Sequence, residues 1–141
     1  MEFSKPFACV LGVVTLNALN LFLQNHVFAT MGRKKYFTSS NLAKSFNEHK
    51  DAFPADSQLP KSGYPDDGNG RYSDKLSFEE WFMLNNYMRV WQNLLEFTPM
   101  ILILILIAGI EFPTWSSCIG LAFLVGRIIY GVGYVKSGPK G

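Results

Sequence analysis

The chain has few of the residues that build disulfide frameworks and metal centres. Two cysteines and two histidines occur among its 141 residues. Cys9 and Cys118 both fall inside apolar segments, so we interpret them as buried, inert thiols rather than as disulfide partners or zinc ligands. His26 has no second histidine or carboxylate at ligand spacing nearby, and we therefore expect no metal site.

Neither sign of charge dominates, and the polar part of the chain lacks motifs for nucleotide binding or nucleophilic catalysis. The formal net charge is +2 and no stripe of basic and aromatic residues occurs, so we expect no nucleic-acid partner. The stretch 66–70 begins like a calcium loop but lacks the glycine at loop position six and the glutamate at position twelve, which predicts a turn. No inverted repeat or pair of broken helices suggests a transporter.

Three apolar segments are long enough to cross a membrane. Helices are predicted near residues 7–31, 78–110 and 113–135, and about 20 helical residues suffice for a hydrocarbon core of roughly 30 Å. We therefore predict an all-α membrane protein, an antiparallel bundle of transmembrane helices. A basic cluster follows the first segment where a stop-transfer signal belongs, so we interpret that segment as a retained helix rather than a cleaved signal peptide.

The apolar segments divide the chain into three parts. Residues 1–37 hold the first transmembrane helix and its basic end, residues 38–76 form a polar insert, and residues 77–141 hold the second and third helices with a short polar tail. Prolines and glycines interrupt the insert throughout, so we expect either an irregular cap on the membrane helices or a flexible loop.

Lysine and arginine are concentrated on one membrane side of the predicted bundle. The residues near that side are Arg33, Lys34, Lys35, Lys136 and Lys140. The other side has Lys5 alone. The positive-inside rule therefore places the N-terminus and the turn at Glu111 in the lumen or an equivalent space, with the insert on the opposite side.

The first helix carries a stripe of three amides. Asn17, Asn20 and Gln24 are spaced i, i+3 and i+7, so they share one helix face. Such a stripe either supplies hydrogen bonds between the helices of a bundle or faces a ligand. Both alternatives follow from the spacing.

The second helix begins polar and ends apolar. Ser77 and Glu80 form a capping-box pattern that predicts its start. Pro99 predicts a kink near Glu96, because proline removes one backbone donor and crowds the carbonyl of Leu95.

Two polar faces, one on the second helix and one on the third, are predicted to meet. Counting outward from the turn places Glu96 level with Arg127, which predicts a buried ion pair. The same count places Arg89 level with Tyr134. The faces together comprise Arg89, Asn93, Glu96, Arg127, Tyr130 and Tyr134. They form either a pocket for an anionic ligand or a structural ion-pair network.

Three motifs at these positions resemble the MAPEG family, the membrane-associated proteins in eicosanoid and glutathione metabolism. RVWQNLLEFTP, residues 89–99, is similar to the family's R-x-x-x-N-x-x-E-x-x-P signature on its second helix. GRIIYGVGYVKSGP, residues 126–139, resembles the third-helix signature, and GRKKYF, residues 32–37, resembles the basic end of the first helix. The chain looks most similar to the microsomal glutathione transferases of the type-three branch.

The resemblance implies a four-helix bundle per subunit, of which this chain supplies three helices. It also implies a homotrimer with glutathione, the co-substrate, between neighbouring subunits near the cytosolic face. The residues that it implies as glutathione contacts are Arg33, Arg89, Asn93, Glu96, Arg127, Tyr130 and Tyr134. No catalytic residue is assigned, because the arginine that some members place beyond the third helix to hold the thiolate has no match here.

The function implied by the resemblance is that of a glutathione transferase or peroxidase acting on lipid electrophiles or hydroperoxides. Such an enzyme works within the lipid bilayer of the endoplasmic reticulum or of a mitochondrion. The alternative is a non-catalytic accessory subunit of a larger membrane complex, for example a respiratory or ATP synthase assembly of the mitochondrial inner membrane. The absent fourth helix and the long insert favour the accessory subunit, whereas the set of motifs favours the enzyme.

Overall fold

Membrane-length helices dominate the structure, a computed structural model that describes residues 5–55 and 58–138. Lys140 and the end of the predicted polar tail lie outside the described residues. The helices in the described ranges that are long and apolar enough to cross a membrane are Lys5–Tyr36, Phe78–Glu111 and Pro113–Ser137. They confirm the predicted all-α membrane fold with three transmembrane helices.

The first membrane helix is longer than predicted and contains one irregular turn. It consists of α1 (Lys5–Gln24), a π-helical turn (Asn25–Ala29) and α2 (Thr30–Tyr36). The sequence predicted an end near residue 31, before the basic cluster. The helix instead continues through that cluster, because cations are favourable in the last turn of a helix, where the backbone carbonyls have no helical partners.

The second membrane helix starts at the predicted capping box. The backbone N–H of Ser77 donates to Glu80 Oε2 at 3.0 Å, and the N–H of Glu80 donates to Ser77 Oγ at 3.3 Å. This reciprocal pair confirms the predicted start, because it satisfies two donors that the first helical turn leaves without partners. We call this helix, Phe78–Glu111, α5; it runs through Pro99 as one helical element.

One residue, Phe112, separates α5 from α6 (Pro113–Ser137). The N–H of Phe112 donates to the carbonyl of Ala108 at 2.8 Å, and the proline that begins α6 occupies a position where no helical N–H bond is required. Ser116 Oγ donates to the carbonyl of Ile105 at 2.6 Å and links the two helices beside the turn. The predicted short turn is confirmed.

The first helix packs against α6 within one compact unit, which comprises residues 5–26 and 90–138 of the described chain. A Cβ atom at Gly120 would collide with Val13, so the missing side chain permits this close approach. Asn17 Nδ2 donates to the carbonyl of Gly120 at 3.0 Å. For Asn17, this bond confirms the interpretation of the amide stripe as a source of interhelical hydrogen bonds.

The polar insert is folded and belongs to a second compact unit, residues 27–89. Its regular elements are α3 (Ser39–Ala43), α4 (Phe46–Ala52) and two single 3-10 turns, Lys61–Gly63 and Ser73–Lys75. Of the two predicted alternatives, these elements fit an irregular folded segment better than a flexible loop.

The carboxylate of Asp66 organises the central turn of the insert. It accepts backbone N–H bonds from Gly68 at 2.7 Å, from Gly70 at 3.0 Å and from Ser73 at 2.7 Å. The Ser73 hydroxyl donates a fourth bond at 3.1 Å. Asp66 is buried, and a buried carboxylate is stable only with such donors. The predicted turn at 66–70 is confirmed.

Both cysteines are exposed on the surface of this chain, so the predicted burial was wrong. Cys9 lies on α1 and Cys118 on α6, each within a membrane-length helix. Lipid tails are as apolar as a protein core, so an apolar segment predicts contact with either one and does not decide between them.

Candidate functional site

Arg127 is a half-buried arginine within the membrane-length helix α6. Arg127 Nη1 donates to Asn93 Oδ1 on α5 at 2.8 Å. The other two guanidinium nitrogens, Nε and Nη2, are buried and have no hydrogen-bond partner in the described residues. An unpaired donor that is shielded from water is costly, and a charged one especially so. The described residues therefore do not satisfy the hydrogen-bonding capacity of Arg127.

The predicted ion pair between Glu96 and Arg127 is not formed, although both residues are described. Glu96 is exposed, and the amide of Asn93, about one helical turn earlier, takes its place beside the guanidinium. The prediction counted equal numbers of residues from the turn and so assumed that α5 and α6 rise in register. Because an arginine side chain can span about one helical turn, a count of residues from the turn does not decide which residue of α5 it contacts.

Two tyrosines extend the face of α6 beyond Arg127. The Arg127 guanidinium carbon lies 4.7 Å from the ring centroid of Tyr130, a distance suited to a cation–π contact. The rings of Tyr130 and Tyr134 are 5.3 Å apart. The structure thus brings together Asn93, Arg127, Tyr130 and Tyr134, four of the predicted site residues.

The amide stripe of α1 reaches the level of Arg127. Gln24 lies seven residues after Asn17, and Arg127 lies seven after Gly120, so the bond between Asn17 and Gly120 sets the two at similar heights. Gln24 Nε2 donates to Asn20 Oδ1 at 3.1 Å. Gln24 Oε1 and Asn20 Nδ2 are buried without hydrogen-bond partners in the described residues. This end of the stripe fits the ligand-facing alternative.

Trp91 is a candidate that the sequence analysis missed. Its indole Nε1 is buried and has no hydrogen-bond partner in the described part of the chain. A buried indole nitrogen usually finds an acceptor. The available signal was its position inside the polar half of α5, two residues after Arg89 and two before Asn93.

Among these groups, more hydrogen-bond donors than acceptors have no partner within the described residues. The Nε and Nη2 atoms of Arg127 lie on the same edge of the guanidinium, and parallel donors on one edge match the two oxygens of a carboxylate. An anionic ligand would satisfy both at once. Water could satisfy them too, but it would not balance the charge.

Comparison with family models identifies the group of proteins to which the chain belongs. A family model described as the MAPEG family matches residues 9–141, which is nearly the whole chain. The chain belongs to the MAPEG family. No solved structure matches it significantly.

Family membership fixes the general character of the protein. It is an integral membrane protein of the family of glutathione and eicosanoid metabolism, built as a helical bundle. The family is associated with glutathione-dependent activities. The match includes α5 and α6 in full, and hence Asn93 and Arg127.

The side chain of Arg33 in this MAPEG protein already contacts residues of the polar insert. Its Nη2 pairs with the carboxylate of Asp67, and its Nη1 donates to the carbonyl of Ser62 at 3.3 Å. Its guanidinium carbon lies 5.4 Å from the ring centroid of Tyr64. The predicted role of Arg33 in contacting glutathione stays a prediction, and such a contact would have to compete with Asp67.

Arg89, which belongs to the same unit of residues 27–89, is exposed. It forms no ion pair with a carboxylate in the described residues. An exposed guanidinium without a carboxylate partner is available to an anionic ligand. Its predicted contact with glutathione stays a prediction.

Proposed function

We propose that this MAPEG protein binds glutathione at the face formed by Asn93, Arg127, Tyr130 and Tyr134. The observation that carries the proposal is the buried, unpaired edge of the Arg127 guanidinium. Glutathione has two carboxylates, and either one offers the paired oxygens that this edge fits. A single ligand would then both neutralise the charge and satisfy the two donors.

The remaining predicted residues would complete the recognition of the tripeptide. Glu96 has no cationic partner in the described residues and could accept the glutathione ammonium group. We also propose Arg89 as a contact to a glutathione carboxylate, because its guanidinium has no carboxylate partner in the described residues. Tyr130 and Tyr134 lie on the same face of α6 as Arg127, and Asn93 is the neutral hydrogen-bond partner of Arg127 on α5.

The activity that we propose is that of a glutathione transferase or peroxidase acting on lipid electrophiles or hydroperoxides. The chemistry requires a glutathione thiolate, so the site must lower the thiol pKa from about 8.5. The thiolate would add to the β-carbon of an activated C=C bond, whose π electrons form an enolate that is then protonated. In the peroxidase reaction it would attack the terminal oxygen of a hydroperoxide, so that the O–O bond breaks and the lipid alcohol leaves with a proton. A second glutathione would then convert the resulting glutathione sulfenic acid to the disulfide and water. We assign no catalytic residue to thiolate stabilisation.

The assembly and location belong to the same proposal. A homotrimer in the endoplasmic reticulum or a mitochondrial membrane would place the site between neighbouring subunits, as the resemblance to the type-three branch implies. The alternative is an accessory subunit of a larger membrane complex. The folded insert favours that alternative, because it gives the chain an additional surface for contacts with other proteins.

A calorimetric titration with glutathione tests the proposal. The purified protein in lipid nanodiscs should release or take up heat on binding, and Arg127→Ala should abolish the signal. Lys136→Ala is the matched control, since it removes an exposed cation from the same helix. Conjugation of glutathione to a lipid enal by the wild-type protein would then distinguish the enzyme from an accessory subunit. If glutathione causes neither heat nor a thermal shift at millimolar concentration, the proposal fails.

A further inference from the structure

A cavity that is separate from the predicted glutathione residues lies within residues 27–89. Its volume is about 460 Å³, within the range of small-molecule sites in proteins. None of its lining residues is among the predicted glutathione contacts. The walls come from α4 and from the turns around Asp66.

The carboxylates in the cavity wall are already engaged. Asp66 accepts four hydrogen bonds from the turn that it organises. Glu48 Oε1 accepts a bond of 2.8 Å from Lys75 Nζ, and this bond holds the pKa of Glu48 below its usual value. Neither carboxylate is open to a cationic ligand, so the wall does not favour one.

The donors in the wall, in contrast, are unused. Ser45 is 3 % exposed, and its Oγ has no hydrogen-bond partner in the described residues. The same holds for the buried Nε2 of His49, which follows Ser45 by one helical turn and therefore lies on the same face. A serine hydroxyl and an imidazole nitrogen can each donate to a ligand oxygen.

Arg71 and Tyr72 supply two further donors in the cavity wall. Arg71 is exposed and forms no ion pair within the described residues. Burial and the nearby Asp66 raise the pKa of Tyr72, so its hydroxyl keeps its proton at neutral pH. Both groups favour a ligand that carries acceptor oxygens and negative charge.

The rest of the wall is mostly apolar. Ala52, Phe53 and Pro65 line it, and the His49 ring lies 5.1 Å from the ring of Phe53. Such a surface suits a hydrocarbon or aromatic group better than a hydrated ion. The cavity therefore combines an apolar wall with a set of unused donors.

We propose that this cavity binds an amphiphilic anion, a carboxylate or phosphate ester joined to an apolar group. The anionic end contacts Arg71, His49 and Ser45, and the apolar group packs against Phe53 and Pro65. A membrane lipid and a water-soluble amphiphile share this chemistry. The site is independent of glutathione binding at Arg127.

The test compares four small probes on the full-length protein in phosphatidylcholine nanodiscs, with empty nanodiscs as the blank. The probes are hexyl phosphate, hexanol, inorganic phosphate and hexyltrimethylammonium. Hexyl phosphate should bind at least about tenfold more tightly than the other three, because only it joins charge-assisted hydrogen bonds to apolar burial. Equal binding of hexyl phosphate and hexanol, or tighter binding of the cation, overturns the proposal.

Two variants locate the site, and one serves as a control. Arg71→Ala should weaken hexyl phosphate binding about tenfold, and Ala52→Trp, which fills the cavity, should abolish it. Lys50→Ala removes an exposed cation of α4 that does not line the cavity, so it should have no effect. If Lys50→Ala weakens binding as much as Arg71→Ala, the surface charge is responsible and the proposal is wrong.

Native mass spectrometry separates the two sources of the ligand. Wild-type protein reconstituted with phosphatidylcholine and phosphatidic acid should retain phosphatidic acid if the ligand is a membrane lipid. Arg71→Ala should then lose it, and hexyl phosphate should displace it. Binding of hexyl phosphate without retained lipid supports a water-soluble amphiphile instead.

Discussion

The two compact units of this chain differ in how completely their polar groups are paired. In residues 27–89, Asp66 has four hydrogen bonds, Arg33 pairs with Asp67, and Glu48 pairs with Lys75. Within the described residues, buried polar atoms without partners remain on Ser45 and His49 in this unit. In the membrane unit they remain on Asn17, Asn20, Gln24, Trp91 and Arg127.

The difference is informative because the two units meet different surroundings. Water can reach and solvate the surface of a polar insert, whereas lipid offers no hydrogen bonds. Unpaired groups are therefore costlier in the membrane unit, yet most of them are found there. We therefore predict that Arg127 and its neighbours bind a ligand, because these buried donors have no acceptor within the described residues.

The largest effect is expected from Arg127→Ala. Removing one partner of a buried charge pair costs about 2–5 kcal/mol of binding, so glutathione affinity should be lost by titration calorimetry. The stability of the unliganded protein should change little, because the lost hydrogen bond to Asn93 is offset by removal of a half-buried charge that has no ion-pair partner in the described residues. Arg127→Lys should also impair binding, since an ammonium group cannot offer two parallel donors. Loss of stability without any change in binding would instead support a structural network.

The second effect concerns the folding of the insert. Asp66→Ala leaves several backbone donors of the central turn without an acceptor and should destabilise the insert by about 3 kcal/mol. Limited proteolysis should then cut within residues 38–76 faster than in the wild type. Asp74→Ala is the control, since Asp74 is exposed and takes no part in the turn's carboxylate network. Equal cleavage of both variants would show that Asp66 does not organise the insert.

A smaller effect is expected from Arg33→Ala. Arg33 pairs with Asp67, so the substitution should alter the insert more than glutathione binding. A pair of this kind with one exposed member is worth about 1 kcal/mol or less. Calorimetry should find a much smaller loss of glutathione affinity than for Arg127→Ala. A loss as large as that of Arg127→Ala would show that Arg33 leaves Asp67 to contact glutathione.

The smallest effect is a pH dependence of the insert. Lys75 lowers the pKa of Glu48 from its ordinary value of 4.5, so the pair stabilises the folded insert above that pH. The stabilisation is lost as the pH falls through the lower, folded-state pKa. Thermal melts between pH 7 and pH 3 should show a slightly larger decrease for the wild type than for Lys75→Met. Identical decreases would contradict a stabilising role for the pair.

The sequence predicted the membrane helices well because length and apolarity decide them. The capping box at Ser77 and the turn at Phe112 were also predictable, since both depend on neighbouring residues alone. The π-helical turn at Asn25–Ala29 was not, because no residue type marks it. The fold of the insert was unpredictable for a related reason, as it depends on backbone bonds to one carboxylate.

The sequence predicted which residues of α6 belong to the candidate site, but it did not predict which residue of α5 lies beside Arg127. The spacing predicted that Arg127, Tyr130 and Tyr134 share one face of α6. The contacts among these three side chains agree with that prediction. Spacing could not show that Asn93, rather than Glu96, lies beside Arg127, because the offset between two helices depends on their packing. The predicted burial of the two cysteines was wrong because an apolar segment can face either lipid or protein, and the sequence does not decide between them.

The most direct test of the central claim is a titration of the wild-type protein with glutathione, followed by the same titration of Arg127→Ala. We predict a measurable heat of binding for the wild type and none for the variant, with the unliganded stability of both proteins retained. The absence of heat and of a thermal shift for the wild type at millimolar glutathione would contradict the claim that the unpaired edge of Arg127 is a glutathione site.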